Sequence, residues 1–169
     1  MEGNDWIRQQ TLHRLVAQYQ TTLLRTCYLY LRDASLAEDA VQETFLKAYR
    51  AYPAFRGECR EKTWLLRIAT NTCRDMRRSA WFRHVDRRVS VELLPQAAIP
   101  YEEADEELTL AILRLPSKLR EAVTLYYYQD MGVAEISVAL GVAPSTVSNR
   151  LKQARGKLRA ALEGGRIHE

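Results

Sequence analysis

Apolar residues recur at intervals of three and four along every periodic segment of the chain, the spacing that lines one face of an α-helix. The clearest stripe in the first half is Leu12, Leu15, Val16, Tyr19, Leu23, Cys27, Tyr28 and Leu31. Comparable stripes occupy residues 36–52 and 63–79, and others follow residue 101. The pattern therefore predicts an all-α chain with two small helical domains and no sheet.

Local signals predict where the helices of the first half begin and end. Ser35 and Glu38 have the spacing of a capping box, so the second helix is predicted to begin at Ser35 and to end at Pro53. A third helix is predicted at 63–79. Trp64 falls on the inward face of this third helix, which indicates a core position.

Helical period fails between residues 80 and 104, where Pro95 and Pro100 interrupt the chain. We interpret this stretch as a flexible linker with a short helical turn at 81–88. The predicted units are an N-terminal domain at 1–80, the linker at 81–100 and a C-terminal domain at 101–169.

Two short helical patterns flank Gly141 in the run VAEISVALGVAPSTVSNRLKQARGKLR, residues 133–159. Gly141 accommodates the left-handed backbone that ends a helix abruptly, and Pro144 suits the first position of the next helix. That second helix has an apolar stripe at Val147, Leu151, Ala154, Leu158 and Leu162. Between Ser145 and Arg159 it carries five cations and no anion.

This arrangement is typical of a helix-turn-helix whose second helix reads the major groove of DNA. The alternative is a helical hairpin with a solvated basic face. The spacing of Ile136, Gly141, Val142, Val147 and Leu151 favours the DNA-binding interpretation.

Charge is distributed unevenly, although the 169-residue chain has a formal net charge of only +4. Residues 56–88 carry ten basic and four acidic side chains, residues 89–113 six acidic and no basic ones, and residues 114–169 nine basic and five acidic ones. Two basic blocks around an acidic one suggest two contacts with a polyanion, with solvated surfaces as the alternative. We also hypothesise that the acidic segment 92–107 lets the two domains of the free protein close on each other and mask their basic surfaces.

The sequence contains few signals for a metal site, a disulfide framework, a catalytic site or a membrane segment. Cys27, Cys59 and Cys73 form no CxxC pair and the three histidines do not cluster, so neither a zinc site nor a disulfide framework is expected; Cys27 and Cys73 are predicted to be buried thiols. No nucleophile–base pair, glycine-rich phosphate loop or metal-ligand cluster is evident, so we expect no cofactor and no enzyme. The lack of a long apolar run or signal-peptide pattern predicts a cytoplasmic protein.

Three runs in order resemble the sequence of an extracytoplasmic-function (ECF, group IV) sigma factor of the sigma-70 family. They are DAVQETFLKAYRAYPAFRG, KTWLLRIATNTCRDMRRS and LPSKLREAVTLYYYQDMGVAEISVALGVAPSTVSNRLKQARGKLR. The resemblance covers the chain from about Thr11 to Leu162, and the two motif sets in this order are specific. It implies a subunit that directs core RNA polymerase to promoters with −10 and −35 elements and helps to melt the DNA.

The resemblance also implies roles for particular residues. The helix at 36–52 matches the segment that docks on the clamp helices of the largest polymerase subunit, although the residues alone also fit a solvated helix face. The implied docking residues are Asp39, Gln42, Glu43 and Phe45.

The loop at 55–62 and the helix after it match the part that recognises the −10 element and holds it open. Melted DNA needs pockets for bases, polar groups for their edges and cations for the backbone. The implied −10 residues are Phe55, Arg56, Lys62, Trp64, Asn71, Arg74, Asp75, Arg77 and Arg78.

The helix at 144–159 matches the −35 reader. The implied residues are Ser145, Thr146, Ser148, Asn149, Arg150, Lys152, Gln153, Arg155 and Lys157. This sequence departs from a common family form at Ser148 and Gln153, where many members carry a cation. Fewer neutralised phosphates imply a lower non-specific affinity for DNA.

The implied partners are the clamp helices and flap of core RNA polymerase, promoter DNA, and a cognate anti-sigma factor that is often membrane-bound in this family. No direct membrane insertion is expected, and in holoenzyme the protein is expected at the nucleoid. The competing hypothesis is a freestanding helix-turn-helix repressor or activator. Such a protein needs a dimer interface or effector pocket in its N-terminal half and binds duplex operator without polymerase.

Overall fold

The computed structural model describes residues 2–79 and 106–165. Within these ranges the chain forms seven α-helices and no strand, which confirms the predicted all-α fold. The helices are α1 (Glu2–Leu31), α2 (Ala34–Ala51), α3 (Glu61–Arg78), α4 (Glu106–Leu113), α5 (Ser117–Val123), α6 (Val133–Leu140) and α7 (Pro144–Gly165). The predicted linker and its helical turn at 81–88 lie outside the described residues, so the three domain boundaries stay a prediction.

Helices α1, α2 and α3 pack on one another and enclose the N-terminal core. Its largest fully buried side chains include Leu15, Leu23, Tyr28, Leu65 and Leu66. The predicted burial of the thiols Cys27 and Cys73 is confirmed. Burial of these apolar faces, at roughly 25 cal/mol per Å² of apolar surface, is the main force that holds the three helices together.

The second helix begins one residue earlier than its predicted start, and a different residue caps it. Asp33 has an extended backbone, and its Oδ1 accepts a hydrogen bond of 2.8 Å from the amide of Leu36. Because Ala34 is already helical, Ser35 lies inside the first turn and cannot occupy the cap position. The prediction of a Ser35–Glu38 capping box was therefore wrong; the aspartate before it satisfies the free amide.

The C-terminal helices confirm the predicted helix-turn-helix, formed by α6 and α7. Gly141 ends α6 with a φ of 65°, and its amide donates to the carbonyl of Ser137 at 3.0 Å. Ile136, Val147 and Leu151 are buried between the two helices. This packing holds α7 with its polar side turned away from the core.

A π-helical turn at Thr124–Tyr128 extends α5. Tyr126 is half-buried, and Tyr127 is 51 % exposed. Tyr126 therefore packs against the edge of the core, whereas Tyr127 points to solvent, and both rings contact Arg155 of α7.

The N-terminal and C-terminal helices also pack against each other, with α3 on α6 and α1 on α5. We call the contact between them the junction. Its polar residues include Tyr30, Lys62 and Arg74 on the N-terminal side and Arg120, Glu121 and Gln129 on the C-terminal side. The acidic segment 92–107, which the sequence analysis expected to mask the basic surfaces, lies mostly outside the described residues.

One pair of substitutions tests the backbone of the helix-turn-helix. Gly141→Ala should lower the free energy of unfolding by about 1–2 kcal/mol, because an alanine at a φ of 65° is strained. Its added Cβ meets nothing within 4 Å, so no steric clash contributes. Gly156→Ala, on the exposed side of α7, should instead raise it by about 0.5–1 kcal/mol. Urea denaturation measures both variants, and changes of the same sign would refute the assignment of Gly141 as a left-handed cap.

Candidate nucleic-acid interface

One side of α2 carries an exposed, mostly acidic surface. Asp39, Gln42 and Glu43 are all exposed and lie three or four residues apart, on one helical face. Phe45, assigned to the same surface from the sequence, is only 7 % exposed and packs in the core. Leu46, 49 % exposed, follows Gln42 and Glu43 by four and three residues and is the apolar residue of this face. The sequence signal for Leu46 was its position outside the apolar stripe of α2.

Three aromatic rings cluster between the end of α2 and the start of α3. Phe55 and Trp64 are stacked with their centroids 4.7 Å apart, and Tyr52 meets Trp64 edge-on at 5.9 Å. All three residues are half-buried, so the aromatic cluster is partly accessible from the surface. The sequence analysis assigned Phe55 and Trp64 to the −10 site but did not identify Tyr52, which ends the apolar stripe at residues 36–52.

A charged pair braces this aromatic cluster from the side of α1. Arg14 donates through both terminal nitrogens to the two carboxylate oxygens of Glu61, each at 2.8 Å. The hydroxyl of Tyr52 donates to the same carboxylate at 3.2 Å. These hydrogen bonds, chiefly that from Arg14, hold the pKa of Glu61 below its usual value. The pair fixes the start of α3, and with it the ring of Trp64, against α1.

The remaining −10 residues of α3 divide into two groups. Asn71, Asp75 and Arg78 are exposed to solvent, and Arg56 is exposed in the preceding loop. The other cations turn towards neighbouring groups. Lys62 Nζ donates to the carbonyl of Gln129 at 2.8 Å, Arg74 Nε donates to Glu121 Oε1 at 3.1 Å, and the guanidinium of Arg77 lies 5.6 Å from the ring centroid of Tyr30.

The polar side of α7 presents most of the predicted −35 residues. Seven of them are exposed, namely Ser145, Ser148, Asn149, Lys152, Gln153, Arg155 and Lys157. Thr146 is half-buried, and the side chain of Arg150 is only 15 % exposed. The arrangement offers hydroxyl, amide and ammonium groups suited to base edges, together with cations suited to phosphates.

Two tyrosines outside the recognition helix orient one of its cations. Arg155 Nε donates to the hydroxyl of Tyr127 at 2.9 Å, and its guanidinium lies 5.5 and 5.9 Å from the ring centroids of Tyr126 and Tyr127. Cation–π contact limits the rotamers of Arg155 while leaving it exposed. The sequence analysis missed this contact because the two tyrosines lie 28 and 29 positions before Arg155, and no local pattern connects them.

Two consecutive charged residues of α5 are buried at the junction. Arg120 is 2 % exposed and donates to the backbone carbonyls of Tyr30 at 2.9 Å and Leu115 at 2.8 Å. Burial lowers the pKa of Arg120 to about 9, which leaves the guanidinium charged at neutral pH. Glu121 is 4 % exposed, and burial raises its pKa against the opposing effect of Arg74 and Arg150.

Among the described residues, no cluster of three or more histidine, cysteine, aspartate or glutamate side chains is arranged to hold a metal ion. Nor does any helix in that part of the chain have the length and apolarity needed to span a membrane.

The Arg14–Glu61 pair makes a pH-dependent prediction. Glu61→Gln should lower the free energy of unfolding at pH 7 by about 1 kcal/mol, because solvent partly screens the pair. The folded pKa of Glu61 lies below its unfolded value of about 4.3, so this contribution is complete above that pH and is lost as the pH falls through the folded pKa. Urea denaturation of wild type and variant should therefore converge at acidic pH. The exposed neighbour Glu58→Gln is the control, and a gap between wild type and Glu61→Gln that does not narrow as the pH falls below about 4.3 would contradict the pairing.

Comparison with known proteins gives one consistent result. The family model for Sigma-70 region 2 matches residues 15–83, and that for Sigma-70, region 4 matches residues 105–158. The RNA polymerase sigma-H factor of Pseudomonas aeruginosa is 31 % identical over 88 % of this chain and 84 % of its own length. The ECF RNA polymerase sigma factor SigL of Mycobacterium tuberculosis is 32 % identical over 90 % of this chain and 89 % of its own length. The ECF RNA polymerase sigma factor SigW of Bacillus subtilis is 29 % identical over 91 % of this chain and 90 % of its own length.

Solved structures are similar over the same span. CnrH in complex with the cytosolic domain of CnrY has a TM-score of 0.70 and 26 % identity, covering 92 % of this chain and 90 % of its own. The sigma factor RpoE in complex with the anti-sigma factor NepR from Bartonella quintana has a TM-score of 0.74, covering 91 % of this chain and 98 % of its own. At 23 % identity, the second similarity concerns the fold alone.

Proposed function

This chain belongs to the ECF group of the sigma-70 family and is an RNA polymerase sigma factor, and we propose that it directs core enzyme to promoters with −10 and −35 elements and helps to melt them. The observation that carries the proposal is the order of the two matched regions, region 2 on α1–α3 and region 4 on α4–α7. Polymerase performs the chemistry of transcription, and the sigma factor supplies contacts.

We assign polymerase docking to the exposed face of α2. Its support is the cluster of Asp39, Gln42 and Glu43 on one side of the helix, with Leu46 as an apolar centre. Carboxylates and an amide around an exposed leucine suit a partner helix with cations around an apolar groove. Phe45 supports this face from the core below it.

We assign the −10 element to the surface of α3 and the loop before it, and the −35 element to α7. Asn71 and Asp75 offer polar groups to unstacked bases, and the half-buried rings of Phe55 and Trp64 offer a stacking surface. On α7, exposed side chains such as Lys152 and Gln153 face outward for base edges in duplex DNA.

We further infer that a protein partner regulates this chain. CnrH was solved with the cytosolic domain of CnrY, and RpoE with the anti-sigma factor NepR. By extension this chain takes a cognate anti-sigma factor, anchored at the membrane, and acts in the cytoplasm and at the nucleoid when bound to polymerase.

The docking assignment is tested by charge reversal. The double variant Asp39→Lys/Glu43→Lys should weaken binding to core polymerase by at least about tenfold, because opposite charges across the interface become like charges. Competition against another sigma factor measures the affinity. Glu106→Lys/Glu107→Lys, with the same change in net charge on exposed residues of α4, is the control. Equal affinities for the two double variants would refute docking through α2, and failure of wild type to co-purify with core would favour a freestanding regulator.

The DNA assignments predict different effects for different residues of α7. Replacing Lys152 or Gln153 by alanine should change which −35 sequence is preferred, by about 1–3 kcal/mol per lost base contact. Replacing Arg155 or Lys157 should lower the affinity for all −35 sequences by a similar factor. It should also reduce the slope of log affinity against log salt concentration by about one per lost phosphate contact. Binding selections with randomised −35 elements at several salt concentrations measure both effects.

The corresponding experiment for α3 uses Asn71→Ala holoenzyme. Its binding to duplex promoter should be nearly normal while opening is impaired, because the proposed partner of Asn71 is exposed only after melting. Permanganate footprinting detects the opened bases. Normal melting with an unchanged −10 preference would refute the assignment of Asn71.

A further inference from the structure

The exposed residue Tyr127 is joined to α7 through its hydroxyl. Tyr127 Oη accepts a hydrogen bond of 2.9 Å from Nε of Arg155, which is exposed as well. A phenol hydroxyl that accepts one hydrogen bond keeps its own hydrogen for donation. Because Arg155 uses Nε in this contact, the outer nitrogens of its guanidinium retain donors too. The two side chains therefore offer several donors at one place on the surface.

Arg155 lies on the face of α7 that we assign to DNA. It follows Lys152 by three residues and Ser148 by seven, the spacing of side chains along one helical face. The first turns of a recognition helix contact base edges, so a residue further along the helix is placed to meet phosphates at the edge of the groove. Tyr127, bonded to this arginine, lies beside the DNA backbone in the same arrangement.

The ring of Tyr127 is supported from the side of the core. It meets the ring of Tyr126 edge-on, with their centroids 4.9 Å apart and an angle of 72° between their planes. Tyr126 is partly buried against the core, and its ring centroid lies 5.5 Å from the guanidinium of Arg155. Both tyrosines belong to the π-helical turn, a feature that frequently occurs at functional sites. An arginine held in this way loses less rotamer freedom on binding than a free one does, which raises affinity.

The same pair borders an apolar groove. This groove of about 620 Å³ lies between α4, the π-helical turn and α7, and its lining includes Leu108, Ile112 and Leu158. A guanidinium beside a hydroxyl suits an anion better than an apolar partner, because burying an unpaired charge against apolar side chains is unfavourable. The donors of Tyr127 and Arg155 therefore favour a phosphate as their ligand over a protein seated in the groove.

We propose that Tyr127 and Arg155 together bind one phosphate of the −35 duplex, with Tyr127 both orienting the guanidinium and donating its hydroxyl hydrogen to a phosphate oxygen. The inference rests on the proposed assignment of α7 to the −35 element. A phosphate carries no sequence information, so the contact adds affinity without changing which −35 sequence is preferred. A neutral hydroxyl releases no condensed counterion, so the contribution of Tyr127 depends on salt far less than that of Arg155.

The experiment measures the affinity of reconstituted holoenzyme for a duplex that carries the −35 sequence preferred by wild type and ends before the −10 element. Tyr127→Phe keeps the ring and removes the hydroxyl. It should weaken binding about fivefold, the effect of one net hydrogen bond, at every salt concentration tested. Its slope of log affinity against log salt concentration should equal that of wild type, whereas Arg155→Ala should reduce the slope by about one.

A double-mutant cycle tests whether Tyr127 acts through Arg155. In an Arg155→Ala background, Tyr127→Phe should weaken binding less than about twofold, because the hydroxyl no longer has the partner that places it. The matched control is a Lys157→Ala background, which removes an exposed cation from another face of α7. There the loss caused by Tyr127→Phe should remain about fivefold, since the two sites are independent.

Chemical changes in the DNA locate the contact. Methylphosphonate substitution removes the charge of one phosphate at a time. One position should weaken wild-type binding, and both Tyr127→Phe and Arg155→Ala should be much less sensitive at that same position. Different sensitive positions for the two residues would overturn the shared phosphate.

The remaining outcomes separate this proposal from the proposed function. Wild-type affinity of Tyr127→Phe, with weakened binding by Arg155→Ala, overturns the proposal and leaves the assignment of α7 intact. An Arg155→Ala protein that binds the duplex as wild type does refutes that use of Arg155 on α7, and the proposal with it. Tighter duplex binding by Tyr127→Phe would show that Tyr127 withdraws Arg155 from DNA. Weaker binding of Tyr127→Phe to core polymerase, with unchanged duplex affinity, would assign the pair to a protein partner in the groove, and both results overturn the proposal.

Discussion

The burial of Arg120 and Glu121 side by side is the constraint around which the two sets of helices are arranged. Neither charge is stable in a protein interior without partners, and both find them across the junction. Arg120 donates to the backbone at the end of α1, and Glu121 pairs with Arg74 of α3 and approaches Arg150 of α7. Removing one partner of such a buried pair typically costs about 3–5 kcal/mol, because the other charge is left uncompensated. The contact therefore specifies one relative placement of the helices more than it adds to their stability.

That placement sorts the residues that we propose to contact DNA into two classes. Asn71, Asp75 and most of the polar face of α7 are exposed, whereas Arg74 and Arg150 are engaged at the junction. Residues that we propose to read bases are thus exposed, whereas two cations proposed to contact DNA are engaged within the protein.

Helical period alone predicted which side chains of several proposed site residues are exposed, and the errors have specific causes. The exposure of Asp39, Gln42 and Glu43 follows from their distance from the apolar stripe of α2. Phe45 was assigned to the same surface by family resemblance, but its register directs it into the core, and Leu46 takes the exposed position. Likewise the cap of α2 is Asp33, because two polar residues near a helix start compete and only the backbone geometry selects one.

The sequence by itself determined the helical architecture, the left-handed turn at Gly141 and the basic face of α7, because helical period, glycine and local charge are properties of neighbouring residues. The tertiary structure alone decided that Arg74, Glu121 and Arg150 meet. These residues are 47 and 29 positions apart in the chain, and each reads as an ordinary polar residue in its own helix. The sequence around Arg120 also does not predict its burial. One of its acceptors, the backbone carbonyl of Tyr30, lies 90 positions away in the chain. Contacts of this kind depend on how whole helices pack, and periodicity within a single helix carries no information about them.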